Sequence, residues 1–152
     1  MLHHTISEDL KEAMKSHDEL RVSTLRMLIA AIRNKEISLI KKDSGLSETE
    51  LLHVIRSEVK KRKEAAEGFE KGGRREMADK ENKEAVILEA YLPAELGEKE
   101  LLGMVREKIA ELGVEHSDRN FGVIMKAVLS AVDGRAAGER VALAVKQVLR
   151  GT

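Results

Sequence analysis

The sequence predicts an all-α protein, with an N-terminal bundle of about four helices and a small C-terminal domain of three helices. Three observations favour this fold class. Aromatic residues make up 2% of the 152 residues and charged residues 36%, a composition rich in helix formers and poor in strand formers. Proline occurs once. Apolar residues recur every three or four positions along most of the chain, which is the period of an amphipathic helix.

Two helices are predicted in the first quarter of the chain. The first has apolar residues at helical spacing between residues 6 and 14, behind the polar residues SED that suit a helix N-terminus. The second follows the polar break SHD and extends from residue 22 to Ile40. Lys41 and Lys42 suit its carboxyl end, where positive charge is favourable, and DSG ends it.

The third and fourth helices are predicted to form a hairpin. The third begins with a capping box, in which Ser47 caps the first turn and Glu50 reaches back. The sequence KGG then permits a tight reversal into the fourth helix. Pro93 closes the fourth helix, since the residue before a proline disfavours helical conformation.

Polar residues interrupt the apolar seam of each hairpin helix. The seam of the third helix contains Leu52, Ile55, Val59, Arg62, Ala66 and Phe69, and that of the fourth contains Met77, Glu81, Glu84, Leu88 and Tyr91. Arg62 lies about as far before the turn as Glu81 lies after it. We therefore predict a structural ion pair of Arg62 with Glu81 and Glu84, which gives specificity of register more reliably than stability.

Three shorter helices are predicted after the proline. Their apolar positions lie between residues 101 and 112, 121 and 132, and 141 and 148. Gly113 and Gly134 are expected to end the first two, and Ser117 to cap the second. The predicted organisation is an N-terminal helical domain at residues 1–92, a linker at 93–97 and a three-helix domain at 98–152.

Composition restricts location and chemistry. The chain has 27 basic and 27 acidic residues, so any charged surface must be local. It has no cysteine, which removes disulfide and thiolate chemistry. The first residues show no secretory signal, and no apolar run approaches the roughly 18 residues of a membrane span. These observations predict a cytoplasmic protein without a membrane partner.

No catalytic motif is recognisable. The five histidines are scattered, and none has the spacing of metal ligands. Neither a nucleophile elbow nor a phosphate-binding loop is present. The sequence therefore predicts no catalytic residue, no metal site and no cofactor.

A basic stretch in the third helix is a first candidate for nucleic-acid contact. RSEVKKRK places Arg56, Lys60 and Lys63 at positions i, i+4 and i+7, so one face could follow a phosphate backbone. A solvated helix face is the more ordinary interpretation of such a run. No aromatic residues are interleaved, which disfavours stacking on single-stranded bases.

The carboxyl-terminal stretch is the stronger candidate. Residues 119–152 contain six basic and two acidic residues. The corner DGRAAG surrounds Arg135 with glycine and alanine, so a backbone could approach closely there, next to the free N–H groups of a helix N-terminus. The predicted nucleic-acid contacts in this stretch are Lys126, Arg135, Arg140 and Lys146.

Several longer motifs resemble a known family. EDLKEAMKSHDELRVSTLRMLIAAIRNKEI, EVKKRKEAAEGFEKGGRREMADKE and EAYLPAELGEKEL, in this order, are similar to the YqeY family. Residues 122–149 resemble the tail domain shared by YqeY proteins and the B subunit of the tRNA-dependent amidotransferase GatCAB. GVIMK matches the tail pattern G-x-V-M-K with Ile124 in place of valine, and GRA matches the pattern G-[KR]-A. Val123 and Ala137 depart from the polar residues common at those positions.

The resemblance implies a fold of four plus three helices and a role connected with tRNA. In the amidotransferase, the tail domain helps the B subunit to hold the body of the tRNA. The family label of carbon–nitrogen ligase with glutamine as amido donor belongs to the whole amidotransferase, whose catalytic domain and glutaminase subunit this chain lacks. The leading hypothesis is therefore a non-catalytic helical module that associates, through phosphate and shape, with tRNA or a tRNA-dependent amidotransferase-type complex.

Two alternatives remain open at this point. One is carbon–nitrogen ligase activity as part of an amidotransferase system. The other is a protein-interaction module, in which an exposed apolar patch including Phe121, Val123 or Leu129 packs on a partner. The expected partners are tRNA and an aminoacyl-tRNA amidotransferase or synthetase, without DNA specificity.

Overall fold

The structure, a computed structural model, describes residues 1–41 and 43–151. Within these residues the chain forms seven α-helices and a short 3₁₀ helix (Asp118–Asn120) and contains no strand, which confirms the all-α class. The α-helices are α1 (Leu2–Lys15), α2 (Glu19–Ser38), α3 (Glu48–Lys71), α4 (Arg75–Glu89), α5 (Glu98–Leu112), α6 (Phe121–Val132) and α7 (Gly138–Leu149). They form two compact units, which divide between Leu92 and Pro93.

The first unit contains α1 to α4 around one apolar core. The largest fully buried side chains of this core are Ile6, Leu25, Leu28, Ile32, Ile55 and Leu88. α3 and α4 form an antiparallel hairpin whose turn contains Gly73 at a φ of +76°, a left-handed conformation that glycine adopts without steric cost. At the start of α3 the predicted capping box is confirmed: the Glu50 N–H donates to Ser47 Oγ, and the Ser47 N–H donates to Glu50 Oε1.

The hairpin seam differs in detail from the predicted one. Met77 is exposed, and Ala78 is buried in its place. In α3, Leu51 and Val54 are buried whereas Leu52 is only half-buried. Adjacent residues of an α-helix are about 100° apart, so Met77 and Ala78 lie on different faces of α4, and the buried face contains the alanine.

α2 ends at Ser38, two residues earlier than predicted. Ile40 has a φ of +56° and therefore leaves the helix. Lys41 lies beyond the helix end, and the predicted role of Lys42 at this end lies outside the described residues.

The second unit packs α5, α6 and α7 around a separate core. Its buried residues are Leu96, Leu101, Val105, Ile109, Ile124, Val128, Val132, Ala136, Val141, Ala144, Val145 and Val148. Leu96, in the predicted linker, is therefore part of this core. α5 ends at Gly113 in the left-handed conformation, as predicted. Ser117 caps the 3₁₀ helix that precedes α6, and the left-handed residue that ends α6 is Asp133, one position before Gly134.

Candidate nucleic-acid interface

Lys126 and Arg135 are two of the cations of the second unit that have no acidic partner among the described residues. Lys126 is exposed on α6, because the buried residues Ile124, Val128 and Val132 occupy the opposite face of that helix. Arg135 is half-exposed in the corner between α6 and α7. Among residues 1–41 and 43–151, no carboxylate lies within 4.0 Å of either side-chain cation. Both positive charges are therefore available to an external anion.

The backbone of the α6–α7 corner is held by hydrogen bonds. Asp133 and Gly134 both have positive φ, so the chain reverses within two residues. The Arg135 N–H donates to the Val132 carbonyl over 3.0 Å, and the Arg135 carbonyl accepts from the Leu96 N–H over 2.8 Å. The main chain that carries the Arg135 side chain is thus fixed on both sides.

Arg140 supports the corner from α7. Its Nη2 donates to the Leu96 carbonyl over 2.8 Å, and its Nη1 lies 3.7 Å from the Glu95 carboxylate. Leu96 is 3% exposed, so its carbonyl needs a partner within the protein. The guanidinium predicted as a nucleic-acid contact is therefore occupied in anchoring the segment before α5.

Lys146 lies next to the only aromatic residue of the second unit. Its Nζ is 5.9 Å from the centroid of the Phe121 ring, within the range of a cation–π interaction. This contact joins the end of α7 to the start of α6. Lys146 remains exposed, so it adds positive charge to the same unit as Lys126 and Arg135.

The basic stretch of α3 is largely neutralised by neighbouring acids. Lys60 pairs with Glu64 at 4.0 Å, and Lys63 pairs with Glu89 of α4 at 2.6 Å. The Arg56 side chain is half-buried, and its Nη1 is buried without a hydrogen bond. The row Arg56, Lys60 and Lys63 therefore presents less free charge than its sequence indicates.

The structure brings Arg62, Glu81 and Glu84 together within the hairpin. Arg62 Nη1 lies 3.4 Å from Glu81 Oε2 and 3.6 Å from Glu84 Oε2. The Glu84 side chain is 5% exposed. Burial, together with the Glu81 charge, raises the pKa of Glu84, although Arg62 opposes this shift. Two carboxylates sharing one guanidinium form a cluster with an excess of acid.

Lys41 and the capping box determine the ionisation of Glu50. The Lys41 ammonium donates to both Glu50 carboxylate oxygens, at 2.8 Å and 2.9 Å. These hydrogen bonds and those to Ser47 lower the pKa of Glu50 from 4.5 to about 2. The carboxylate is thus held in its ionised form as a link between the segment after α2 and the start of α3.

The lowered pKa predicts a pH dependence of stability. Since Glu50 binds its proton less tightly in the folded protein, its contribution is fully present above pH 4.5 and is lost as the pH falls towards about 2. Glu50→Gln is therefore expected to reduce stability at neutral pH and to flatten the acid limb of the unfolding curve between these values. Thermal unfolding at several pH values measures this, with exposed Glu48→Gln of the same helical turn as the control. An acid limb unchanged from that of the wild type would contradict the assignment.

A cleft of about 660 Å³ lies between α2 and α3. His53 and Ser57 line it on the α3 side, and Asn34 and Lys35 line it on the α2 side. Both of its carboxylates have lysine partners: Glu50 pairs with Lys41, and the buried Glu58 pairs with Lys61 at 3.2 Å. In the part of the chain that the structure describes, no three His, Cys, Asp or Glu side chains are grouped as metal ligands.

The seven described α-helices and their division into two compact units define a class of helical, two-unit proteins. The model of the Yqey-like protein family matches residues 3–149. The chain therefore belongs to the YqeY family, as its motifs indicate.

Curated relatives share the name altered inheritance of mitochondria protein 41, mitochondrial. The protein of Eremothecium gossypii is 36% identical over 59% of this chain and 48% of its own length. The protein of Kluyveromyces lactis is 38% identical over 59% of this chain and 47% of its own length. The protein of Lachancea thermotolerans is 32% identical over 87% of this chain and 68% of its own length. The chain thus matches about half the length of the first two relatives.

The names of these relatives correct one prediction. Each is named as a mitochondrial protein, which contradicts the cytoplasmic location predicted from the sequence. That prediction depended on the lack of a recognisable secretory signal, which is a weak guide to location. Within the described residues, no helix is both long and apolar enough to cross a membrane.

Proposed function

We propose that the second unit is a non-catalytic module that contacts the phosphate backbone of tRNA, chiefly through Lys126 and Arg135. The observation that carries this proposal is that the second unit has several cations with no carboxylate within 4.0 Å among residues 1–41 and 43–151, Lys126 and Arg135 included. Residues 119–152 have four more basic than acidic residues, six against two. Membership of the YqeY family adds support, because the resemblance to the amidotransferase tail domain implies a tRNA partner.

The expected contacts are with phosphate and backbone shape. An RNA duplex has a deep, narrow major groove that side chains cannot read, and neither lysine nor arginine needs a base edge to bind phosphate. Each phosphate contact releases counterions, so affinity falls as salt increases. With two principal contacts, and Lys146 exposed on the same unit, we expect modest affinity that falls as salt increases.

The experiment is fluorescence anisotropy of labelled, unfractionated tRNA titrated with the full chain at low and moderate salt. Lys126→Ala/Arg135→Ala is expected to weaken binding by at least about tenfold, since a hydrogen bond to a charged group contributes on the order of 1.5–3 kcal/mol. Lys108→Ala is a matched control in the same unit, because Lys108 is already paired with Glu111 at 2.9 Å. It should bind tRNA like the wild type.

Two results would contradict the proposal. One is the absence of binding by the wild-type chain even at low salt. The other is equal weakening by the double substitution and by Lys108→Ala, which would indicate a general charge effect. Circular dichroism of each variant establishes that the helices are retained.

A second candidate function has its own supporting observation. Val123 and Leu129 of α6 and Leu143 of α7 are exposed large apolar side chains on the second unit. Exposed apolar surface favours a protein partner, and an aminoacyl-tRNA amidotransferase or synthetase would bring tRNA to the same unit. This candidate becomes the leading one if the isolated chain does not bind tRNA.

A further inference from the structure

The turn that ends α2 contains a β-branched residue where helices usually have glycine. The Lys41 N–H donates to the Glu36 carbonyl at 2.7 Å, and the Ile40 N–H donates to the Ile37 carbonyl at 3.1 Å. These two hydrogen bonds define a Schellman motif with Ile40 as its left-handed residue. The corresponding residue after α3 is Gly73. A β-branched side chain in this conformation is a genuine steric outlier.

Burial does not compensate for this strain. Ile40 is 93% exposed, and Ile37, in the last turn of α2, is 62% exposed. Glycine at position 40 would relieve the strain without loss of any core contact. A residue that is unfavourable for its backbone conformation and contributes no packing indicates a role other than folding.

Ile37 and Ile40 form an exposed apolar tip at the end of α2. Two arginines lie on the same helix, without acidic partners in the part of the chain that the structure describes. Arg26, Ala30, Arg33 and Ile37 are exposed at positions i, i+4, i+7 and i+11 of α2 and so lie along one face of the helix. Within the described residues, neither Arg26 nor Arg33 has a carboxylate within 4.0 Å. We refer to Arg26, Arg33, Ile37 and Ile40 as the α2 stripe.

We propose that the α2 stripe docks on an anionic phospholipid surface. Ile37 and Ile40 would enter the boundary between headgroups and acyl chains, and the two guanidinium groups would bind lipid phosphate. A second copy of this chain is a poor occupant, because its own arginines would repel those of the first. RNA offers phosphate but no apolar layer for the two isoleucines. The contact is peripheral and needs no membrane-spanning helix.

Flotation of the full chain with large unilamellar vesicles tests this proposal. The chain is expected to float with phosphatidylcholine–phosphatidylglycerol vesicles and much less with phosphatidylcholine alone. Ile40→Gly should reduce the bound fraction severalfold while raising the temperature of thermal unfolding, because it removes the apolar tip and the strain together. Arg26→Gln/Arg33→Gln should reduce binding to the anionic vesicles only.

Val86→Ala is the matched control for loss of an exposed aliphatic side chain. Val86 is 65% exposed on α4 of the same unit, and its substitution should leave flotation unchanged. Three results would overturn the proposal: no flotation of the wild type with anionic vesicles, equal flotation with both vesicle types, or wild-type flotation of Ile40→Gly. The tRNA experiment depends on residues of the other unit, so the two proposals fail independently.

Discussion

Replacing Arg62 by alanine is expected to destabilise the first unit by up to about 3–5 kcal/mol, the cost of removing one partner of a fully buried ion pair, because Glu84 is buried and Arg62 and Glu81 are partly buried. The substitution would leave Glu81 and Glu84 side by side in the α3–α4 interface without their shared cation. Chemical denaturation followed by circular dichroism measures the loss. Lys60→Ala is the control on the same helix, because Lys60 is exposed and its pair with Glu64 spans 4.0 Å. That control should lose less than about 1 kcal/mol.

Removing an acid from the same cluster should not destabilise the protein, in contrast to the removal of Arg62. Burial raises the pKa of Glu84 above its ordinary value of 4.5, so the folded protein binds this proton more tightly than the unfolded chain does. Stability from Glu84 is therefore greatest below pH 4.5 and decreases as the pH rises through the folded pKa. Glu84→Gln, which keeps the shape and removes the charge, should equal or exceed the wild type in stability at neutral pH. A loss as large as that of Arg62→Ala would contradict this interpretation of the cluster.

Replacing Arg140 by alanine is expected to destabilise the second unit by about 1.5–3 kcal/mol, the range for a hydrogen bond to a charged group. The substitution would leave the carbonyl of the buried Leu96 without its 2.8 Å donor. It would also loosen the α6–α7 corner, since the Leu96 N–H binds the Arg135 carbonyl. Thermal unfolding measures the effect, and Lys126→Ala, at an exposed and unpaired cation, should lie within about 0.5 kcal/mol of the wild type.

Comparing Arg140→Ala with Lys126→Ala distinguishes a residue that anchors the fold from a residue that binds tRNA. Arg140→Ala should affect stability first and tRNA affinity only through the corner, whereas Lys126→Ala should weaken tRNA binding without altering stability. If Arg140→Ala unfolded like the wild type and yet lost tRNA binding, Arg140 would be a ligand contact and its assignment as an anchor would be wrong.

Local signals in the sequence predicted much of the fold. The Ser47–Glu50 capping box was predictable because both partners lie within one helical turn. The proximity of Arg62 to Glu81 and Glu84 also follows from sequence, because one glycine turn relates the two seams by a simple count. By contrast, spacing alone does not distinguish Met77 from Ala78 in the seam, since they lie four and three positions before Glu81 and both fit the helical period.

Long-range contacts were the part that the sequence did not reveal. Nothing near Leu96 indicates that its backbone pairs with residues about 40 positions later, so the sequence predicts a linker before α5 and a nucleic-acid contact at Arg140. Tyr91 was assigned to an apolar seam, yet its hydroxyl donates to Asp9 of α1 at 2.5 Å. Each of these partners is distant in sequence and has no local pattern.

At the candidate site, the sequence likewise does not reveal which basic residues are paired with acids. Basic residues are visible in the sequence, but their neutralisation is not. Lys63 and Lys126 have the same charge, yet Lys63 meets Glu89 from the next helix whereas Lys126 meets no carboxylate among the described residues. Cations without acidic partners among the described residues are therefore kept in the carboxyl-terminal stretch, whereas two of the three cations in the α3 row are paired with glutamates.

The salt dependence of tRNA binding tests the central claim most directly. Plotted as the logarithm of the association constant against the logarithm of salt concentration, the wild type should give a negative slope to which each phosphate contact contributes about 0.7 to 0.9. Lys126→Ala/Arg135→Ala should reduce the magnitude of this slope by the contribution of two contacts, and Lys108→Ala should not change it. Equal slopes for the double variant and the wild type would show that these two cations do not contact phosphate and would contradict the proposed function.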